Sequence, residues 1–334
     1  MGQALPPMTS ATGMGPLPEL LAEMRGRAAV VRVFKRVDLP LGLIEMRETR
    51  LPMSALVRLF AEAAEVADDP LFGLRVGLGM EPEDYGLWMH YGLGALTLRS
   101  AIARLSWTMA LHQSGPATTL TGDGDHFIWR YIPPPFPGLD TAQHADHVVP
   151  TMVKIARRYL GQDWAPAWIE VPYGRDSSAA SREETTGIPW QFASAGIGLP
   201  LTKGELTRER PISSGSTAAS ITLRDVRAAM RNRTPSFTTI VGDLVSLALL
   251  EGHTSIDLIA SRLDLPARTL QRRLLEDGVT FRTVLEGVRR AKGEELVARG
   301  TMRVADIAAA LGYSDTSNYQ RAAKRWSEKV RKDA

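Results

Sequence analysis

Apolar positions recur along this chain with two different periods. In LPMSALVRLFAEAAEVA (51–67), LTLRSAIARLSWTMALHQ (96–113) and TAQHADHVVPTMVKIARRYLG (141–161) they return every three or four residues, which predicts three amphipathic helices. ATTLTGDGDHFIWRYI (117–132) reads instead as two extended runs around Gly122, Asp123 and Gly124, a β-hairpin whose turn uses glycine's tolerance of positive φ. WAPAWIEVPY and PWQFASAGIGLPL add further strands. The first two hundred residues therefore predict an α+β domain, placed at 29–210, behind a tail at 1–28 that reads as disordered.

From Ile221 onward the pattern is nearly all helical. A Ser- and Thr-rich stretch, PISSGSTAAS, opens a linker and connecting helix at 211–235. SFTTIVGDLVSLALLEG then places Phe237, Ile240, Val241, Leu244 and Leu247 on one stripe, with Gly252 closing the helix. Thr254 is the expected N-cap of the next helix, with Asp257 three residues on.

In IASRLDLPARTLQRRL (259–274) the apolar spacing is too irregular for one helix but suits two short helices meeting at a turn. The same unit occurs twice. Ile259, Ala260, Leu263 and Leu265 align with Ile307, Ala308, Leu311 and Tyr313, 48 residues on. With one extra residue in the second turn, Leu270, Gln271 and Arg272 align with Tyr319, Gln320 and Arg321. A short apolar helix, a tight turn and a second helix with polar and basic outer positions make up a helix-turn-helix. Between the copies, FRTVLEGVRRAKGEELVARG predicts a connecting helix about 28 Å long. That length approaches the roughly 34 Å of one DNA turn, so the two second helices would enter successive major grooves.

Charge sharpens this picture. The net charge of the 334 residues is only +3, yet from Arg262 onward 16 Lys and Arg stand against 10 Asp and Glu. A basic helical segment behind a slightly acidic body is the electrostatic footprint of a nucleic-acid-binding module. With no cysteine there is no disulfide framework, thiolate zinc site or cysteine nucleophile. No long apolar run and no basic-then-apolar leader suggests a membrane span or a secretory signal, so a cytoplasmic protein is expected.

The runs RTLQRRLLEDGVTFRTVLEGVRR and VADIAAALGYSDTSNYQRAAKRW resemble the AraC/XylS family of bacterial transcription regulators over about residues 236–326. YGLWMHYGLGALTLRSAIARL and DWAPAWIEVPY resemble, more weakly, the arabinose-binding-type sensory domain of one branch of that family. The resemblance implies an α+β sensory domain followed by an all-α tandem helix-turn-helix domain at 236–334. It implies promoter DNA, RNA polymerase and a small-molecule effector as partners, a possible homodimer, no cofactor, and a location on the nucleoid. It also implies activation in response to a small metabolite.

Carried over residue by residue, the base-reading positions of the first unit fall on Arg268, Gln271 and Arg272. Those of the second fall on Thr316, Ser317, Asn318 and Arg321. Arginine pairs bidentately with guanine and glutamine with adenine, so these residue types suit direct readout. Arg273, Arg289, Arg290, Lys324 and Arg325 are read as phosphate contacts or packing residues.

The chain departs from the family pattern at several positions. Pro266 holds the place of a capping serine, worth about 1 kcal/mol. Gly287 and Gly293 soften the connecting helix by up to about 1 kcal/mol each. Ala323 replaces a large aromatic, a change that costs roughly 3–5 kcal/mol if nothing refills the space. The chain ends SEKVRKDA without the usual continuation. Because the last two departures fall in the second unit, the first is expected to carry most of the specificity.

Other candidate chemistry is sparse. His144 and His147 lie three apart without an evident third ligand, so packing or surface roles are expected rather than a metal site. Gly77-Leu78-Gly79 lacks the third glycine of a dinucleotide loop. Trp88, Trp107, Trp129, Trp164, Trp168 and Trp190 would serve as core residues or line an apolar pocket. No catalytic or ligand-binding residue is assigned. The alternatives are an enzyme-like or a ligand-independent N-terminal domain fused to the DNA-binding module.

Overall fold

The computed structural model describes residues 5–211, 221–231, 236–252, 254–263 and 265–333. The backbone forms two compact units, one drawn from Pro7–Leu39 and Pro52–Thr234, the other from Pro40–Leu51 and Pro235–Ala334.

The first unit is α+β. Its elements are β1 (Met8–Ser10), α1 (Leu17–Arg25), α2 (Arg27–Arg36), β2 (Arg50–Pro52, crossing the unit boundary), α3 (Met53–Ala67), α4 (Phe72–Leu78), α5 (Leu87–Leu93) and α6 (Leu98–Trp107). Then come β3 (Ala117–Asp123), β4 (His126–Ile132), α7 (Ala142–Leu160), β5 (Ile169–Glu170), α8 (Ala179–Thr186), β6 (Trp190–Gln191), β7 (Ile197–Thr202), α9 (Lys203–Thr207) and α10 (Leu223–Arg231).

Strands β3 to β7 make one sheet in the order β3-β4-β7-β5-β6, antiparallel except for the β5–β6 edge. The hairpin forms as expected, but its turn lies later: Asp123 pairs with His126, so Gly124 and Asp125 make the turn and Gly124 takes φ +54°. Gly122 belongs to β3.

Helix α7 runs through the middle of this unit, buried along most of its length. Gly73 and Gly77 sit four apart on α4 and let it press onto α7. A Cβ at Gly73 would lie 2.0 Å from the Gln143 carbonyl oxygen, and one at Gly77 would lie 2.3 Å from that of His147. The Gln143 side chain then accepts from the Gly73 N–H at 2.7 Å and donates to the Pro70 carbonyl at 2.8 Å. Gly77, weighed above as part of a nucleotide loop, is a packing glycine.

The expected tail is corrected. Residues 8–25 carry β1 and α1, and Met8, Met14, Leu17 and Leu21 are fully buried. Widely spaced apolar residues amid Pro and Gly give no periodicity to read, yet burying each stabilises the fold by roughly 1.5–3 kcal/mol. The stretch 212–220 and residues 232–235, assigned to the linker, lie outside the described residues. Between them α10 supplies a connecting helix, with Val226 buried.

The second unit contains α11 (Phe237–Leu249), α12 (Ile256–Ser261), α13 (Ala267–Glu276), α14 (Phe281–Arg299), α15 (Val304–Ala310) and α16 (Thr316–Asp333). All five stripe residues of α11 are buried. Its partners include a segment from far upstream: Arg50, 6% exposed, pairs with Asp243 of α11 at 3.2 Å. The cap of α12 is Ser255, whose hydroxyl accepts from the Leu258 N–H at 3.1 Å, rather than Thr254. Both residues are good caps, and backbone geometry chose between neighbours.

Candidate nucleic-acid interface

The two repeats fold into equivalent structures. Ile259, Ala260, Leu263 and Leu270 are buried in the first, as are Ile307, Ala308, Leu311 and Tyr319 in the second. The turns match bond for bond: the N–H of Leu265 donates to the Ala260 carbonyl at 3.0 Å, and the N–H of Tyr313 to that of Ala308 at 3.0 Å. A 48-residue offset in sequence is thus an offset between two copies of one hydrogen-bonded corner. In each copy the second helix, α13 or α16, buries one face and leaves the other to solvent.

On α13, Leu270 and Leu274 point inward while Arg268, Gln271 and Arg272 are exposed on the opposite side. Arg272 meets Glu276 only loosely, at 3.7 Å, with its side chain 71% exposed. Such a pair contributes less than about 1 kcal/mol and yields readily to a stronger partner. Pro266 provides no side-chain cap, and its carbonyl instead accepts from the N–H groups of Thr269 and Leu270 at 2.9 and 3.1 Å. Arg273 is half-buried, with its guanidinium 5.4 Å from the centre of the Phe237 ring on α11.

On α16 the corresponding residues are tied to one another. Asp315 accepts from the Asn318 backbone N–H at 2.7 Å, and the Asn318 side-chain carbonyl accepts from Arg321 at 2.6 Å. That backbone bond holds the Asp315 carboxyl below its ordinary range. Ser317 and Arg321 are exposed, whereas Thr316 and Asn318 are half-buried. Arg321 would have to leave Asn318, or carry it along, to reach a base.

The remaining cations divide. Lys324 is exposed; Arg290 faces Glu294 at 3.6 Å and Arg325 faces Glu286 at 3.9 Å, both at the surface. Arg289 differs, and its contacts are those of packing, the second of the two roles expected for it. It donates to the carbonyls of Leu311 and Gly312 at 2.9 and 3.0 Å and lies 4.6 Å from the Tyr313 ring centre. Those carbonyls end α15, where a helix carries partial negative charge, so a cation there is stabilising.

The space around Ala323 has neighbours. Tyr313, Ala323 and Trp326 pack on the core formed by Leu296, Ile307, Ala308, Leu311 and Tyr319. Gly293 of α14 is buried against them; a Cβ there would lie 3.2 Å from Leu311 and 3.4 Å from the Trp326 ring. The two departures noted in sequence, a small residue at 293 and another at 323, therefore lie on the same core as the Trp326 indole. Trp326 also donates to Glu286 at 3.3 Å, tying α16 to α14.

In the first unit, His144 and His147 are buried packing residues. His147 stacks on Phe60 with centroids 4.2 Å apart, and burial pushes the His144 imidazole down to about 4. Of the tryptophans, Trp190 is a core residue, Trp107 is half exposed, and Trp164 donates to Glu205 at 2.6 Å. Trp88 and Trp129 line an internal cavity that no sequence motif marks. The only sequence hint was a clustering of tryptophans too general to single out two of them.

Comparison with known proteins agrees with these two units. Residues 28–207 match the model of the arabinose-binding N-terminal domain of AraC transcription regulators, and residues 259–329 match that of a helix-turn-helix domain. The chain is 27% identical over 318 residues to the HTH-type transcriptional regulator VirS of Mycobacterium tuberculosis, covering 87% of this chain and 86% of the relative. It is 22% identical to the ornithine utilization regulator of Pseudomonas aeruginosa, covering 85% and 84% of the two chains. The crystal structure of the transcriptional regulator CdpR from Pseudomonas aeruginosa aligns at 24% identity and a TM-score of 0.42, over 90% of this chain and 95% of that one. With a duplicated helix-turn-helix behind a sensory domain matched over most of its length, the chain belongs to the AraC family of transcription regulators and is a DNA-binding regulator.

Proposed function

We propose that this regulator reads its promoter chiefly through α13, with Arg268, Gln271 and Arg272 contacting base edges in the major groove. The observation that carries this reading is their common exposure away from Leu270 and Leu274, with only the loose Arg272–Glu276 contact to be given up first among the described residues. Thr316, Ser317, Asn318 and Arg321 of α16 contribute mainly affinity, since Asn318 and Arg321 already satisfy each other. Arg273, Arg290, Lys324 and Arg325 position the protein on phosphates, a role that fixes register without specifying sequence.

The domain at 29–210 senses a small metabolite, and the domain at 236–334 binds DNA. An effector changes promoter affinity, or contact with RNA polymerase, only by as much as its own affinity differs between the two states. The regulator activates transcription, as a possible homodimer, from the cytoplasm at the nucleoid. Support for sensing comes from the matched arabinose-binding domain and from a relative named for ornithine utilization. Activation and the contact with polymerase rest on the family resemblance alone.

The test is binding of the purified protein to fragments of its own genomic neighbourhood, at two salt concentrations, with nonspecific competitor DNA. Competitor-resistant binding to one fragment that weakens steeply with salt and is lost in Arg272→Ala supports the reading. Equal loss of all fragments to competitor, with and without candidate effectors, overturns it.

A further inference from the structure

The N-terminal unit holds a partly open cavity of about 60 Å³ among α3, α5, α6, α7 and the hairpin β3–β4. Tyr85, Trp88, Trp129 and Tyr131 contribute aromatic rings to its walls. Trp88 stacks on His112 with centroids 5.0 Å apart and planes 6° apart, and Tyr85 stands edge-on to His112 at 4.9 Å. His144 and His147 of α7 line the cavity as well.

Two properties restrict what can enter. Among the described residues, no Asp, Glu, Lys or Arg lines the cavity, and burial keeps His144 and His147, two of the three histidines in its walls, neutral at pH 7. A carboxylate or an ammonium group would therefore lose hydration without meeting a Lys, Arg, Asp or Glu counter-charge, a heavy penalty against a mainly apolar lining.

Two of the polar groups in its walls share one face of the hairpin. Thr118 pairs with Tyr131 across the hairpin, and Trp129 lies two residues before Tyr131, so all three project from one face of the sheet into the cavity. Trp129 is 3% exposed, yet its indole N–H has no hydrogen-bond partner among the described residues; neither has the Thr118 hydroxyl. A buried donor left unmade is uncommon in native proteins, and two on one wall point to an acceptor brought from outside.

Size sets the remaining limit. A cavity of ~150 Å³ takes up benzene, so this one must widen to admit a ring. Met89, Met109 and Met152 line it. Unbranched thioether side chains re-pack more readily than branched or aromatic ones, which makes a modest expansion accessible.

From these observations we infer that the cavity binds a small uncharged molecule, a single flat aromatic ring bearing one hydrogen-bond acceptor that takes the Trp129 indole N–H and the Thr118 hydroxyl. A sugar fits less well: each of its several hydroxyls would need a partner, while the surface that the cavity presents is mainly apolar. That this ligand is the effector rests on the sensory reading proposed above.

The test uses the full-length protein labelled with ¹⁵N, observed at its indole N–H signals, with acetophenone, benzoate and L-arabinose as probes. The Trp129 signal is the one missing from Trp129→Phe. It is expected to shift saturably with acetophenone and stay in place with the other two, and Thr118→Val is expected to weaken acetophenone binding about tenfold. If Trp129→Phe does not fold, the methyl signals of Met89 and Met152 report the same event.

Movement by benzoate or arabinose, silence with all three, or an unchanged affinity in Thr118→Val overturns the assignment. Promoter binding measured alongside separates the two claims. Acetophenone that fills the cavity without altering DNA affinity refutes the sensory reading and leaves the ligand class standing. A metabolite that alters DNA affinity without displacing acetophenone keeps sensing and removes it from this cavity.

Discussion

The guanidinium of Arg289 in α14 donates to the Gly312 carbonyl at 3.0 Å, and so fastens the connecting helix to the turn of the second helix-turn-helix. Gly312 takes φ +68°, which turns its carbonyl toward α14 and closes α15. Arg289→Met keeps the apolar stem but leaves the Leu311 and Gly312 carbonyls without their donor, and is expected to destabilise the helical unit by roughly 1–3 kcal/mol. Denaturant titration measures the loss. The salt dependence of DNA binding should keep its slope; a fall of about one in that slope would instead reveal a phosphate contact.

Arg272 and Arg321 occupy equivalent positions in the two repeats and differ in what holds them: a loose contact to Glu276 in one case, a 2.6 Å bond to Asn318 in the other. Arg272→Ala is expected to reduce specific affinity by about 1–3 kcal/mol and to relax preference at one base position. Arg321→Ala should lower affinity for all sequences by less. Competition binding against promoter variants compares them, and the reverse order would assign specificity to α16.

Helices α4 and α7 meet at the bare backbone of Gly73 and Gly77. Gly77→Ala pushes a methyl into the His147 carbonyl, so α4 must back away. The expected penalty is roughly 1–3 kcal/mol, despite a gain of up to about 1 kcal/mol in helix propensity. Thermal unfolding of the N-terminal transition reads it, at about 2–4 °C per kcal/mol for a unit of this size. Gly287→Ala is the control: a Cβ there meets nothing within 4 Å, so propensity alone should act and the helical unit should gain stability.

His144 is held neutral, with its imidazole pushed by burial from 6.5 down to about 4, and His147 is shifted in the same direction. Between those values the unfolded chain binds protons that the folded protein does not, so stability falls as pH drops from about 6.5 toward 4. Each histidine contributes up to about 1.4 kcal/mol per pH unit over that window, or about 3 kcal/mol in all for His144. Urea midpoints between pH 7.5 and 4.5 should show the slope, and His144→Phe should flatten it. A midpoint independent of pH would mean that the cavity admits the proton.

Much of the DNA-binding unit was legible because it is written twice. Apolar residues at Ile259, Leu263 and Leu270, repeated at Ile307, Leu311 and Tyr319, leave only one face on each second helix for the charged residues. The strands and helices of the N-terminal half were legible for the same periodic reason. What escaped was aperiodic or relational. Met8, Met14, Leu17 and Leu21 carry no period, and Ser255 and Thr254 are equally good caps on paper.

By itself the sequence determined the class of fold, the duplicated helix-turn-helix and the exposed triplet on α13, because alternation of apolar and polar side chains is a local property. It did not determine that Arg289 would bind Gly312, that Gly293 would make room beside Trp326, or that Trp88 and Trp129 would wall one cavity. Those pairs are 23, 33 and 41 residues apart, and their contacts exist only once helices cross. Tertiary packing also decided the charge state of His144, since burial is a property of the surroundings and no residue carries it alone.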